Sequence, residues 1–434
     1  IISYHYKSLR ISGLVINADL FDFNIKYLTL VGLWPHDDWG NDKMRLYKIY
    51  EVILHILSIA FITVTGIGTY QHKHDITILM TNLDKALAAY NFVAKIFFFV
   101  MKRKQLNHLI FEIRNSGDEV SLDRRNLMVI HVIMITLIST GLVTTFSMLS
   151  QFKGEMTVEA WMPFDPFKNR MSLLLAAQIL AVYFVVPCLY RAFAIQGIVC
   201  SLVMYFCDQL IELQERLKGL SYSEERERIV RDEFKQVVKK HVRIMRYGLL
   251  SCVHLFFELT VTFPVLYFSI SRYSNTFTNI FKEFFLIQNL AVTIELCLNA
   301  LMVTVVSLEE KTLLVSFLGY LGLALINAYI FCYLGNELIS TGIAQAAYES
   351  GWTSWPVDMQ KDLLILIRAA QKPLILSAGG MTIMCIQTYS QVCLWFLLKI
   401  LMSIKLKYIY KIFSYLQALY NAYSIFAVLN DVVD

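Results

Sequence analysis

Charge is scarce in this sequence. Asp, Glu, Lys and Arg together make up 17% of 434 residues, against 57% hydrophobic and a mean hydropathy of +0.53. A soluble domain of this size cannot cover so much apolar surface, so the surplus has to face lipid. Paired cysteines are also missing. The eight present (Cys188, Cys200, Cys207, Cys252, Cys297, Cys332, Cys385, Cys393) lie in or beside apolar runs with no CxxC spacing, which argues against a disulfide framework and a zinc site. Ten-residue stretches of alternating polarity are absent, which argues against a transmembrane β-barrel.

Catalytic constellations are equally hard to find. No GxSxG, P-loop or HExxH pattern occurs, and His72-Lys73-His74 lacks the further ligands a metal would need. No enzyme and no cofactor is expected. A G-protein-coupled receptor should carry an Asp-Arg-Tyr-like triplet and an Asn-Pro-x-x-Tyr string; neither occurs, and no proline lies beyond Pro373.

Long apolar runs fill the space these absences leave. A bilayer core of roughly 30 Å takes about 20 apolar residues per helical crossing, and helices pair their own backbone groups in hydrocarbon. Runs occur at Tyr47–Tyr70, Ile76–Met101, Leu127–Ser150, Met171–Cys207, Leu249–Ser271, Phe284–Leu308, Leu313–Ile339, Leu374–Met402 and Ile404–Val433. The second contains Asp84 and Lys95, which marks it as lining a cavity rather than facing lipid. The fourth exceeds one crossing and is expected to project beyond the bilayer.

The net charge of +5 does not indicate nucleic acid, because the basic residues are grouped between apolar runs. Residues 1–46, 102–126 and 208–246 share one side and are rich in Lys and Arg, whereas the other side offers Lys73, Lys153, Lys168 and Arg170. The positive-inside rule then predicts a cytoplasmic N-terminus and, with an odd number of spans, an extracellular C-terminus. The chain begins at Ile1, and a few native residues are expected to precede it.

An ordered series of strings carries a resemblance. It includes Gly32-Leu33-Trp34-Pro35, Met162-Pro163-Phe164-Asp165 with Gln178, and Cys332-Tyr333-Leu334-Gly335-Asn336-Glu337-Leu338. It continues with Ala346-Ala347-Tyr348-Glu349, Trp352, Trp355, Gln371-Lys372-Pro373-Leu374, Ala378-Gly379-Gly380 and Tyr423-Ser424-Ile425-Phe426-Ala427-Val428-Leu429. In order and spacing the chain resembles the insect odorant receptors. A gustatory receptor shares the architecture but typically ends in Thr-Tyr followed by Gln-Phe, a completion Thr388-Tyr389 lacks. A secondary transporter would need repeat symmetry, and none is found.

The resemblance implies an all-α membrane protein: a seven-transmembrane helical bundle with a cytoplasmic N-terminus and a cytoplasmic helical anchor region. Two apolar stretches, about Val253–Lys282 and Val392–Lys411, have no counterpart in that pattern. Excising both reduces nine runs to seven. Each begins with Val and ends with Lys, whose codons fit intron borders, so retained intron sequence and genuine insertion both stand. The expected organisation is an N-terminal segment 1–46, helices one to four over 47–211, an amphipathic anchor segment 212–247 and helices five and six over 248–340. A second anchor segment, 341–373, precedes a pore-lining last helix, 374–434.

The family's activity would make this chain a tuning subunit that binds a volatile hydrophobic ligand and gates a non-selective cation channel in a heterotetramer with a co-receptor. The expected pocket lies in the outer half of the bundle. Its candidates are Ala88 and Tyr90 on helix two, Leu142, Thr145 and Phe146 on helix three, Gln178 and Tyr183 on helix four, and Phe317, Tyr320 and Ala324 on helix six. Apolar burial, at about 25 cal/mol per Å², would dominate recognition. The family's hydrophobic gate matches Val428, with Val432 one turn on and Asp431 beyond as an acidic ring favouring cations. The implied partners are the co-receptor subunit, a small volatile odorant and the lipid bilayer of an olfactory sensory neuron's plasma membrane, with no nucleic acid.

Overall fold

A computed structural model describes residues 20–36, 39–248, 276–305, 311–371, 374–394 and 398. Helices dominate: α1 (Asp22–Leu30), α2 (Asn41–Gln71), α3 (Ile76–Arg114), α4 (Leu122–Lys153), α5 (Arg170–Phe184) and α6 (Arg191–Lys218). They continue with α7 (Glu227–Gly248), α8 (Thr276–Val305), α9 (Lys311–Ser340), α10 (Ile343–Glu349), α11 (Val357–Ala370) and α12 (386–394).

Among the described residues, three helical stretches are long and apolar enough to cross a membrane by composition alone: Asn41–Gln71, Leu122–Lys153 and Arg170–Lys218. On α2, Leu46, Ile49, Ile53, Ile56 and Ile59 recur at helical spacing and are exposed, while Tyr47, Leu54, Ser58 and Phe61 are buried. One apolar stripe thus meets lipid and the opposite one meets protein. α4 repeats the pattern and stops at Gly154, whose φ of +75° admits the left-handed turn that lets the Glu155 N–H reach the Ser150 carbonyl.

The third stretch is one continuous helix with a π-helical turn at Val185–Tyr190, where Pro187 removes a backbone donor. The Pro187 carbonyl accepts a hydrogen bond from Ser58 Oγ at 3.0 Å. Forty-nine residues span roughly 70 Å, more than twice a bilayer core. The first part of α6 is buried on nearly every face over Arg191–Cys207 and forms the axis of the main core, with α1, α3, α7 and α8 around it.

Below it, α6, α7, α10 and α11 pack together. Gln214 Nε2 donates to the Gly342 carbonyl at 2.9 Å, Lys218 pairs with Glu349 at 2.6 Å, and Arg231 pairs with both Glu227 and Asp358. Trp355 is buried edge-on against Phe234 with ring centroids 5.5 Å apart, so it packs as an anchor rather than sitting at a lipid interface.

Two segments depart from the sequence expectation. The run expected to be helical from Leu374 instead forms a short hairpin, β1 (Ser377–Ala378) against β2 (Thr382–Ile383), and a helix begins only at residue 386. Gly379 and Gly380 have φ of +61° and +77°, so the pair makes a turn that L side chains resist. The Gly379 N–H donates to the Lys282 carbonyl at 3.0 Å, docking the hairpin on α8. Thr276–Lys282, the end of the first unmatched stretch, forms the opening turns of α8 with Phe277, Ile280 and Phe281 in the main core. The rest of that stretch lies outside the described residues, as does most of the second.

Candidate ligand-binding cavity

α3 and α8 pack along most of their length, and their polar residues fall on the shared face. On α3 these are Asp84, Asn91 and Lys95, with Ala88 between, at offsets of 0, 7, 11 and 4. On α8, Gln288, Glu295 and Asn299 fall at 0, 7 and 11. Eleven residues make about three helical turns, which returns each set to one stripe.

Because the helices run in opposite directions, the stripes meet in register. Asn299 Nδ2 donates to Asp84 Oδ1 at 3.1 Å, and three turns away Lys95 Nζ donates to Gln288 Oε1. The Lys95 ammonium also lies 5.0 Å from the Phe284 ring centroid and 5.9 Å from that of Phe92. Aromatic faces stabilise a cation with no water around it.

Between the two pairs lies a cavity of about 40 Å³, lined by Asp84, Ala88, Asn91 and Phe92 of α3, Phe193 of α6, Gln288, Glu295 and Asn299 of α8, and Ala324 and Asn327 of α9. That is space for a few waters or a small polar group. Asp84 Oδ2, Asn91 Oδ1 and Asn327 Oδ1 are buried with no hydrogen-bond donor among the described residues.

The structure brings two of the expected pocket residues, Ala88 and Ala324, to this cavity. Tyr90 turns the other way, its hydroxyl 3.4 Å from Thr65 Oγ1 on α2. Tyr183 packs with Phe61, Ala89, Leu173, Ala176 and Leu180 in a separate outer cluster. Phe146 lies on α9 at Gly319, where a β-carbon would collide with its ring. Leu142 is half-buried on α4 and Thr145 is exposed there, bonding the Gly141 carbonyl at 2.8 Å. Gln178 lines an open apolar groove of about 560 Å³ between α4 and α5. The side chains of Phe317 and Tyr320, and all of Val428, Asp431 and Val432, lie outside the described residues.

Sequence reasoning singled out Asp84 and Lys95 but missed their partners on α8 and α9. The signal was present: Gln288, Glu295, Asn299 and Asn327 interrupt apolar runs at helical spacing.

The segment between α4 and α5 is held against α2 and α3. The Asn82 side chain grips it as a backbone would, donating to the Glu159 carbonyl at 3.0 Å and accepting from the Glu159 N–H at 2.7 Å. The Trp161 N–H reaches the Val64 carbonyl at 2.9 Å, and Gly68 leaves room where a β-carbon would strike the Glu159 backbone. Burial pushes the Glu159 carboxyl above its ordinary value, with His72 and Lys85 opposing.

A family model for the 7tm odorant receptors matches residues 75–394. Over 97 residues the chain is 35% identical to odorant receptor 30a of Drosophila melanogaster, a stretch covering 22% of this chain and 25% of that receptor. Over 82 residues it is 37% identical to odorant receptor 49a of the same fly, 18% of each chain. The matched stretches therefore span a quarter or less of those relatives. The fold superposes on the insect olfactory receptor OR5 from Machilis hrabei with a TM-score of 0.67 at 14% identity, covering 88% of this chain and 96% of that one. The same receptor in complex with eugenol matches equally well, over 97% of its length. Fourteen per cent identity makes this a likeness of fold; the family match spans the helices that build the cavity and most of the chain. The chain belongs to the 7tm odorant receptor family, and is a multi-pass membrane receptor rather than an enzyme.

Proposed function

We propose that this chain is a tuning subunit that binds a small volatile ligand within its bundle and, assembled with a co-receptor, gates a cation channel in the plasma membrane of olfactory sensory neurons. The observation that carries the reading is a cavity held between α3, α6, α8 and α9 in a fold shared with a receptor solved with eugenol. The proposal keeps the pocket in the outer half of the bundle: with the N-terminus assigned to the cytoplasm, the first third of α3, which holds Asp84 and Ala88, and the last turns of α8, which hold Asn299, fall on the outer side.

The gate is assigned to Val428 and Val432, with Asp431 as the acidic ring, and the N-terminus to the cytoplasm. A ligand shifts such a gate only through different affinity for its open and closed arrangements. Coupling from the cavity to the last helix has a physical route: α9 carries Ala324 and Asn327 at its middle and packs through Gly335, two to three turns further on, against the segment entering α12. Co-expression with a co-receptor, followed by current recording against an odorant panel, tests the proposal. Ligand-evoked cation currents are expected; a surface-delivered pair that conducts in response to no odorant overturns it.

A further inference from the structure

The cavity between α3, α8 and α9 is unlike an apolar odorant pocket, because its walls carry more hydrogen-bond acceptors than donors. Asp84 and Glu295 both present carboxyl groups to it, and neither forms an ion pair among the described residues. Lys85, next to Asp84, acts on it through space but divides its charge with Glu159 and Glu155 of the segment between α4 and α5. Lys95, three turns from Asp84, is bonded to Gln288 and set against two phenyl rings; it acts on Glu295 through space without forming an ion pair with it.

Three acceptors lining the cavity have no donor among the described residues: Asp84 Oδ2, Asn91 Oδ1 and Asn327 Oδ1, on side chains 3%, 7% and 8% exposed. A buried acceptor without a donor costs about 1–3 kcal/mol, so the arrangement suits an occupant that brings donors and positive charge. We propose that the cavity receives the ammonium head of a short primary alkylamine, a ligand class that rests on the receptor reading above and sharpens it.

A hydroxyl fits less well, since it offers one donor and two further acceptors to a wall of acceptors. An ammonium offers three donors, one for each unpaired oxygen, and its charge offsets the carboxyl groups. The small walls at Ala88 and Ala324 leave room beside the head, and Phe92 and Phe193 face the first methylenes. A room of about 40 Å³ restricts the buried part to the head and a short stem.

The test compares n-pentylamine, n-pentanol and pentanoate on the receptor co-expressed with its co-receptor, for the native chain, Asp84→Asn and Glu295→Gln, with eugenol and a broad odorant panel as reference. Melting of the purified complex in each pentyl ligand gives a second readout. The expected result is activation and thermal stabilisation by pentylamine but not by pentanol or pentanoate, with pentylamine potency reduced at least about tenfold in Asp84→Asn. Should Asp84→Asn fail to reach the membrane, Glu295→Gln is read against the same criterion. Currents to other odorants with no effect of pentylamine, or a pentylamine potency unchanged by the variants, overturn the amine site and leave the receptor reading standing. Silence to every odorant overturns both.

Discussion

Gly335 on α9 offers a sharp test of the packing argument, because two effects of opposite sign meet there. In a helix interior, Gly→Ala is favourable by about 1 kcal/mol, since Ala loses less backbone entropy on folding. At Gly335, however, a β-carbon would lie far inside van der Waals contact with the Met384 carbonyl oxygen and 3.5 Å from Leu376 Cδ1. That oxygen is backbone, in a segment fixed by the Met384 N–H donating to the Leu376 carbonyl at 2.9 Å, so no side-chain rotation relieves the collision. Overpacking of this kind costs about 1–3 kcal/mol, with rigid backbone placing it at the upper end. Gly335→Ala should therefore destabilise by about 2 kcal/mol after the helix gain is subtracted. Gly322, thirteen residues earlier on the same helix, has nothing within 4 Å of its would-be β-carbon and serves as the control, with an expected gain of up to about 1 kcal/mol. Thermal melting in detergent, followed by monodispersity on gel filtration, should rank Gly322→Ala at or above the native chain and Gly335→Ala below it. If Gly335→Ala melts as high as the native chain, the approach of α9 to the hairpin is wrong.

Other perturbations follow from the polar contacts. His241 on α7 is 3% exposed beside Val237 and Ile244, and burial pushes its imidazole down to about 4. Its folded value lies below its free value near 6.5, so stability is complete above that pH and falls by about 3 kcal/mol as pH drops toward 4. Melting of the native chain at pH 7.5 and 5 should differ, and His241→Gln should flatten the difference; equal slopes would refute the assignment. Asp118 accepts from Ser116 Oγ at 2.7 Å and Tyr205 Oη at 2.8 Å and pairs with Lys240 and Arg243. Burial alone would raise this carboxyl, but those hydrogen bonds and cations hold it below its ordinary range. Its contribution is thus present above the ordinary carboxylate pKa and lost as pH falls through the lowered one; Asp118→Asn should cost about 3 kcal/mol at neutral pH, measured by denaturant or heat. Asn82→Ala removes both bonds to Glu159 and should expose residues 155–163 to proteolysis without unfolding α3; unchanged cleavage rates would show that the segment is held by other contacts.

The helical nature of the chain was legible because hydrocarbon demands long uninterrupted apolar runs, and the runs at α2, α4 and α5–α6 are unmistakable. The amphipathic segment from Glu212 to Arg246 announced itself by charge, and in the structure its α7 part buries Val230, Phe234, Val237 and Ile244 against the core. The hairpin at Ser377–Ile383 was hidden because Leu374-Ile375-Leu376 reads as the start of an apolar helix. Only Gly379-Gly380 hinted otherwise, and a glycine pair fits a close helix contact as well as a turn. The side-chain directions on α3 and α5 were illegible for another reason: Tyr90, Tyr183 and Gln178 are compatible in type with any face of a bundle. Which face each occupies depends on how far each helix is rotated about its axis, a quantity that neighbouring helices set.

Buried charge proved the more informative signal, and the reason is energetic. An apolar residue gains similarly from lipid and from protein, so its presence on a membrane helix says little about where it points. A carboxyl or ammonium group in hydrocarbon is tolerated only where partners are supplied, so each such residue predicts a second one at matching depth. Asp84 and Lys95 lie eleven residues apart, which makes three turns on one stripe; any antiparallel neighbour must then answer with polar groups at the same interval. Asn299 and Gln288 do so. That rule selects α8 as the neighbour of α3 and fixes their register from four residues, independently of hydropathy. It also locates the space between the two pairs as the place where an outside molecule can complete the unpaired acceptors of Asp84, Asn91 and Asn327.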